Sequence, residues 1–248
     1  MASHAGYVSE VFVSFQGEGK WVGRRHIFVR MAGCNLRCRY CDTPDSLVHQ
    51  STCAVHLDGG ATEVRNPLSA SALSELVRSF EEREVGLHAV AVTGGEPLSQ
   101  AEFLEEWLAR AGLSLPVLLE TNGTFPEKLR RLVPLVGIVS MDMKLPSNSG
   151  ERAFWKEHDE FLRVGAEKDL YVKIPVDGGT SLADVERAAR LVGAVDRRIP
   201  VFLQPLAAYP GGKLLIDGER LGRFYSLACR YLDEVRVLAQ VHKVLGVR

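Results

Sequence analysis

Short apolar runs recur along the chain, and most are followed by apolar residues at helical spacing. Strands are predicted over residues 27–31, 89–93, 116–121, 138–143, 170–176 and 201–206. Each is apolar at both alternating parities, as parallel strands covered on two faces are. Leu73, Leu76, Val77 and Phe80 share one helical face and predict a helix. Phe103, Leu104, Trp107 and Leu108 form a second stripe, with Ser99 and Glu102 expected as a capping box and Gly112 as its stop. Leu182, Val185, Ala189 and Val192 form a third, opened by Ser181 with Asp184 three residues on. Leu221, Phe224, Ala228 and Leu232 form a fourth. Such alternation predicts an α/β fold, a parallel barrel or sheet with right-handed crossovers. Functional groups of these folds gather at the carboxyl ends of the strands. Residues 45–67 interrupt the rhythm, with a hairpin tip expected at 57–61, and residues 146–150 are expected as a polar loop. With no repeat and no linker, the expectation is one domain over residues 1–248 carrying an insertion at about 45–67.

Composition narrows the function. The 248 residues include 30 Lys and Arg against 31 Asp and Glu, a net charge of −1. Binding to nucleic acid through charge alone is not expected. No apolar run approaches the roughly 18 residues that span a bilayer, so no membrane association is expected. The first residues have neither a basic head nor an apolar core of the export type, and a cytoplasmic protein is expected. Of five cysteines, three crowd into Gly33-Cys34-Asn35-Leu36-Arg37-Cys38-Arg39-Tyr40-Cys41-Asp42-Thr43. That crowding suits a metal site in a reducing compartment better than disulfides.

Cys34, Cys38 and Cys41 are spaced C-x3-C-x2-C directly after the first predicted strand. Three thiolates on one tight loop can each hold one iron of a 4Fe-4S cubane, leaving the fourth iron open for chemistry. The competing reading is zinc in a binding module, with Cys53, His49 or His56 as the fourth ligand. Thr93-Gly94-Gly95-Glu96-Pro97 ends the second strand, where paired glycines let backbone groups approach a ligand. Glu120-Thr121-Asn122-Gly123 ends the third, and Asp142, Met143 and Lys144 end the fourth. Lys173 stands on an otherwise apolar fifth strand, so its ammonium needs either a partner or a path to solvent.

The cysteine spacing, with Tyr40 just before the third cysteine, resembles the signature of radical S-adenosylmethionine enzymes. Other segments narrow the resemblance: Ser14-Phe15-Gln16-Gly17-Glu18-Gly19, Ile27-Phe28-Val29-Arg30, Cys41-Asp42-Thr43, Leu203-Gln204-Pro205 and Gln240-Val241-His242-Lys243. Together they are similar to the 7-carboxy-7-deazaguanine synthases, and the likeness spans nearly the whole chain. The resemblance implies an incomplete parallel β/α barrel, a 4Fe-4S cluster on Cys34, Cys38 and Cys41, S-adenosylmethionine, and Mg²⁺ on Thr43. It implies radical ring contraction of 6-carboxy-5,6,7,8-tetrahydropterin to 7-carboxy-7-deazaguanine with loss of ammonia, in 7-deazapurine (queuosine-type) biosynthesis. Tyr40, Cys41, Asp42, Gly94, Gly95, Glu96, Glu120, Asn122, Asp142, Met143, Lys144 and Lys173 are the implied cofactor contacts. Phe15, Gln16, Gly17, Glu18, Arg30, Thr93, Gln204, His242 and the terminal Arg248 are the implied substrate contacts. A homodimer and a flavodoxin-like or other electron donor are also implied. A glycyl-radical enzyme activase, similar in size and cysteine spacing, is the alternative within the superfamily.

Overall fold

The computed structural model describes residues 4–57, 59–207 and 213–247. In chain order the elements are β1 (Ala5–Gly6), β2 (Val8–Phe15), β3 (Arg25–Met31), β4 (Thr52–Leu57), β5 (Gly60–Arg65), β6 (Leu68–Ser69) and α1 (Ala70–Arg83). They continue with β7 (Leu87–Gly94), α2 (Ala101–Arg110), β8 (Val117–Thr121), α3 (Pro126–Leu132), β9 (Ile138–Asp142), α4 (Pro146–Ser149) and α5 (Trp155–Gly165). The last are β10 (Asp169–Val176), α6 (Leu182–Val195), β11 (Val201–Pro205), α7 (Gly218–Ala228), β12 (Val235–Val237) and α8 (Val241–Leu245).

One large sheet has the order β12-β11-β10-β9-β8-β7-β3-β2-β4-β5. The stretch from β12 to β3 is parallel throughout; β2 runs antiparallel to β3, and β5 antiparallel to β4. The fold is α/β, an incomplete barrel open at both edges. Its outer face packs under the helices in a core that includes Val29, Val92, Leu119, Val139, Val172 and Leu203.

The inner face is layered. Phe12, Phe28, Ala91, Leu118, Ile138, Tyr171 and Phe202 form an apolar plug. Two residues further along the same strands stand Arg30, Thr93, Glu120, Lys173 and Gln204, with Asp142 four beyond Ile138. A period of two keeps these groups on the plug's face. Apolar floor and polar mouth therefore follow from one register, and the polar residues are held at the carboxyl ends of the parallel strands.

Some local expectations are corrected. Ser99 and Glu102 form no capping box, because the turn begins earlier: Glu96 caps a 3₁₀ turn at Pro97–Gln100 by accepting from Leu98 N at 2.9 Å. Proline at the first position of that turn presets the helical path, and Glu102 instead pairs with Arg131 at 2.9 Å. Residues 146–149 make a helical turn closed by Gly150 at φ +81°, in place of an open loop. Leu232 lies beyond the end of α7, although it is buried. Ser181 caps α6 as its spacing predicts, accepting from Asp184 N at 3.1 Å. β2, α3, α5 and β12 were not expected; in α5 a buried histidine, His158, occupies a core position and breaks the apolar pattern.

Candidate active site

The cysteine loop leaves β3 and is clamped from several sides. Gly33 N donates to Ser46 O at 2.7 Å, Arg39 N to Ser149 O at 2.9 Å, and Asn35 Nδ2 to Thr124 Oγ1 at 2.9 Å. Arg37 folds back onto the carbonyls of Cys34 and Leu36 at 2.8 and 2.7 Å. Leu36 is buried beneath, while all three cysteines are half-buried free thiols facing one cleft. Burial pushes the Cys38 thiol up to about 11 and raises Cys34 as well. A bound cation is what would make these thiolates favourable.

The cleft measures about 1210 Å³ with its open mouth included. Gly94 and Gly95 line it and bring β7 against the cysteine loop: Gly95 N donates to Met31 O at 3.0 Å, and Glu96 N to Gly33 O at 2.8 Å. A Cβ on Gly94 would stand 2.2 Å from Met31 O, and one on Gly95 would stand 2.3 Å from Gly33 O. The glycine pair is thus required for backbone contact with the cysteine loop as well as for an open ligand surface.

Opposite the cysteines, the loop after β2 crosses the barrel mouth. Gln16 Nε2 donates to Glu120 Oε1 at 2.7 Å, and Thr93 Oγ1 to Glu120 Oε2 at 3.0 Å. Lys173 Nζ donates to Glu18 Oε2 at 2.5 Å, while Gln204 and Gln240 donate to Glu18 Oε1 at 3.2 and 2.7 Å. Gln240 also donates to Asp42 Oδ2 at 2.9 Å, and Lys243 lies 3.0 Å from that oxygen. Burial opposes the charge on Glu18, yet Lys173 and His242 hold its carboxyl down at about 2. Burial likewise opposes the Lys173 ammonium, and Glu18 and Glu120 keep it charged well above its usual range. Lys144 lies 2.9 Å from Asp142 and over the Tyr40 ring.

The structure gathers most of the expected residues on this cleft: Phe15, Gln16, Gly17, Glu18, Arg30, Tyr40, Asp42, Thr43, Thr93, Glu120, Asn122, Asp142, Lys144, Lys173, Gln204 and His242. Two do not face it. Glu96 is fully buried and accepts from Leu98 N, Thr121 Oγ1 and Asn122 N, so it braces the loop ends from behind. Met143 is buried in the outer core, because it has the opposite parity to Asp142. Asn122 spends its amide on Asn35 Oδ1 at 2.9 Å, tying β8 to the cysteine loop. Arg30 Nε pairs with Glu10 at 2.7 Å. Arg248 lies outside the described residues.

Gln240 and Lys243 are site residues that sequence reasoning left without a role. Their signal was the three-residue spacing, which sets both on one side of a helical turn beside His242. Zinc with Cys53, His49 or His56 does not fit. Cys53 is buried in β4, His49 stacks on Tyr7 at 4.2 Å, and His56 sits 3.6 Å from Glu10. Among the described residues, the one set of His, Cys, Asp or Glu side chains whose ligand atoms converge within 4.8 Å is Glu18, Asp42 and His242. The ammonium groups of Lys173 and Lys243 already occupy its carboxylates.

The groups present do suit an iron–sulfur cluster with a polar cofactor above it. Three free thiols share a preformed loop, and Tyr40 Oη and Asp142 Oδ1 are buried beside them without a hydrogen-bond partner. Orphaned polar atoms at a cleft are what a polar ligand satisfies.

A model of the Radical SAM superfamily matches residues 28–192. The chain belongs to that superfamily, whose members use a 4Fe-4S cluster and S-adenosylmethionine. The 7-carboxy-7-deazaguanine synthase of Geobacter sulfurreducens is 36% identical over 250 residues, covering 99% of each chain. That of Methanopyrus kandleri is 34% identical over 246 residues, covering 96% of this chain and 92% of its own. Within the superfamily the chain therefore belongs with the 7-carboxy-7-deazaguanine synthases, which are radical SAM lyases. Its fold is shared with the crystal structure of QueE from Escherichia coli, at 20% identity and a TM-score of 0.55 over 96% of this chain and 95% of that one. Among the described residues no helix is long and apolar enough to cross a membrane.

Proposed function

We propose that this enzyme converts 6-carboxy-5,6,7,8-tetrahydropterin to 7-carboxy-7-deazaguanine and ammonia by radical ring contraction, as a step of 7-deazapurine (queuosine-type) biosynthesis. The observation that carries the reading is the bracing of the Gln16–Glu18 loop across the barrel mouth by Glu120, Lys173, Gln204 and Gln240, opposite the three cysteines. Such a mouth presents amide, carboxylate and ammonium groups to a flat, polar heterocycle.

Cys34, Cys38 and Cys41 hold the cluster. Bound together, the cluster and S-adenosylmethionine supply one electron and a carbon-centred radical able to abstract hydrogen. Tyr40, Asp42, Gly94, Gly95, Asp142 and Lys144 seat the cofactor, with Glu96 and Met143 fixing the strand ends behind them. Gln16 and Glu18 read the pterin ring edge from one side, and Thr93, Gln204 and His242 enclose it. Arg30, with its Nε occupied by Glu10, offers its remaining N–H groups to the substrate carboxylate. Glu120 and Lys173 lie between the two ligands and orient both. The Thr43 hydroxyl does not cap the turn that it opens, which leaves it available to Mg²⁺ as a hard oxygen ligand. Held there by Thr43, the ion would supply positive charge to offset the substrate carboxylate.

The chain acts as one domain in the cytoplasm, as a homodimer, and takes electrons from a flavodoxin-like or similar carrier. Anaerobic incubation of cluster-loaded protein with reductant, S-adenosylmethionine and the carboxytetrahydropterin tests the reaction. The deazaguanine chromophore is expected, with ammonia in equal amount. Unchanged pterin alongside an intact, reducible cluster overturns the assignment.

A further inference from the structure

We propose that Glu10 is a specificity-determining positioning residue: a bulge in β2 sets it opposite Arg30, and it fixes the guanidinium that selects a pterin bearing a carboxylate. The inference rests on the reading of Arg30 given above and adds the residue that aims it. Val11, Phe12, Val13, Ser14 and Phe15 of β2 pair in regular antiparallel register with β3, and Glu10 pairs with Arg30 in the same register. Val8, however, pairs with Met31, the residue next to Arg30. Ser9 is therefore an extra residue on β2, a β-bulge of the kind that re-aims a side chain. If the register of Val8 and Met31 ran on without the bulge, Ser9 would face Arg30. The bulge keeps Val8 in the outer core with Val11, and it turns Glu10 to the inner face that carries Phe12.

The contacts of Arg30 suit aiming as well as neutralising. Arg30 lines the cleft, and Glu10 stands behind it. Glu10 Oε1 accepts from Arg30 Nε at 2.7 Å, with both side chains largely covered. The guanidinium carbon also lies 5.5 Å from the centre of the Phe12 ring. Nε is the inner nitrogen, so the outer edge of the planar fork is left for a ligand carboxylate. His56 of β4, within the 45–67 insertion, lies 3.6 Å from Glu10 Oε2 and bounds the carboxylate on its other side. Two effects of Glu10 on such a ligand oppose each other: its charge repels the ligand carboxylate, and its hold on Nε orients the arginine. A ligand on the outer edge has the guanidinium between itself and Glu10, which weakens the repulsion. A long side chain already held in place loses little freedom on binding, so orientation wins. A tetrahydropterin without the carboxylate gains nothing from this, and Glu10 therefore acts on the discrimination between the two.

Anaerobic calorimetry on cluster-loaded protein, with S-adenosylmethionine and no reductant, measures binding without turnover. The probes are 6-carboxy-5,6,7,8-tetrahydropterin and the tetrahydropterin lacking that carboxylate. Glu10→Leu should weaken binding of the carboxylated probe about tenfold and of the other less than about twofold. Glu10→Gln keeps an acceptor oxygen for Nε and should stay within about threefold of the parent for both. Melting curves report folding; Glu10→Thr, a strand former too short to reach Nε, repeats the measurement if the leucine variant does not fold. Arg30→Gln should abolish the preference for the carboxylated probe. A parent without that preference, or an Arg30→Gln protein that keeps it, overturns the reading of Arg30 and this inference with it. If Arg30→Gln loses the preference while Glu10→Leu keeps it, binds the carboxylated probe more tightly or weakens both probes equally, the role of Glu10 is overturned and Arg30 stands.

Discussion

Lys173 Nζ lies 2.5 Å from Glu18 Oε2, joining β10 to a loop 155 residues earlier in the chain. The lysine side chain is 3% exposed, so its charge is tolerable only because Glu18, and Glu120 at 3.9 Å, face it. Lys173→Met should leave Glu18 as a largely buried, uncompensated carboxylate and destabilise the protein by about 3 kcal/mol. Turnover should fall by about 100-fold, since the Gln16–Glu18 loop loses its one lysine contact and keeps only the bonds from Glu120, Gln204 and Gln240. Adding Glu18→Gln should recover part of the stability and none of the activity. The check is a double-mutant cycle of denaturation midpoints alongside steady-state rates; additive stability losses would show that the two charges are not coupled.

Cys34→Ala, Cys38→Ala and Cys41→Ala should each abolish activity and lower iron well below the roughly four atoms per chain of a cubane. Cys53→Ala and Cys229→Ala should keep their iron, because one thiol is buried in β4 and the other is exposed at the end of α7. Iron and sulfide analysis after anaerobic reconstitution separates the two groups. Cluster loss in Cys53→Ala would require a fourth protein ligand.

Thr43→Ala should leave iron content unchanged and weaken the response to Mg²⁺, because it removes one oxygen donor and no thiolate. The turn at Pro44–Leu47 should survive, since Ser46 binds the Thr43 carbonyl and not its hydroxyl. Superimposable Mg²⁺ titrations for variant and parent would remove Thr43 from the metal site.

These residues differ in how legible they were from sequence. The parallel strands showed through their double-sided apolar runs, and the cysteine loop through its spacing, because both are local patterns. β2 was missed because its antiparallel pairing with β3 is a property of the sheet and not of its own residues. Glu96 and Met143 were placed at the ligand by their position in a motif, and burial turned them away from it. The joining of Glu18, Lys173, Gln204 and Gln240 depends on a barrel mouth that brings four distant segments together, which no spacing encodes.

Gln240 is the clearest case of such a hidden residue. Its amide donates to Glu18 at 2.7 Å and Asp42 at 2.9 Å, so one side chain holds the substrate loop and the cysteine loop in fixed relation. Its carbonyl accepts from Lys243 Nζ at 2.6 Å. Gln240→Leu should retain the cluster and raise the Michaelis constants for pterin and S-adenosylmethionine together, by about tenfold each. A rise for one ligand alone would show that Gln240 serves a single loop.

The floor of the barrel carries a pH dependence of its own. His26 is fully buried, with Nε2 at 3.1 Å from His88 Nδ1 and its ring against Phe28, while Trp21 packs on His88. Burial, then the neighbouring His88 and Arg24, lower its pKa from 6.5 to about 4. The unfolded chain therefore takes up a proton near pH 6.5 that the folded chain refuses until about pH 4. Between those values the unfolded state binds more protons, so stability rises with pH. The contribution is complete above pH 6.5 and is lost as pH falls toward 4, by roughly 3 kcal/mol in all. His26→Phe removes the titrating group from an aromatic surrounding that accepts another ring. Unfolding free energies of parent and variant should run parallel above pH 6.5 and diverge below it, with the parent falling faster. Curves that stay parallel down to pH 4.5 would mean that the folded floor opens to protonate His26 at its ordinary pKa.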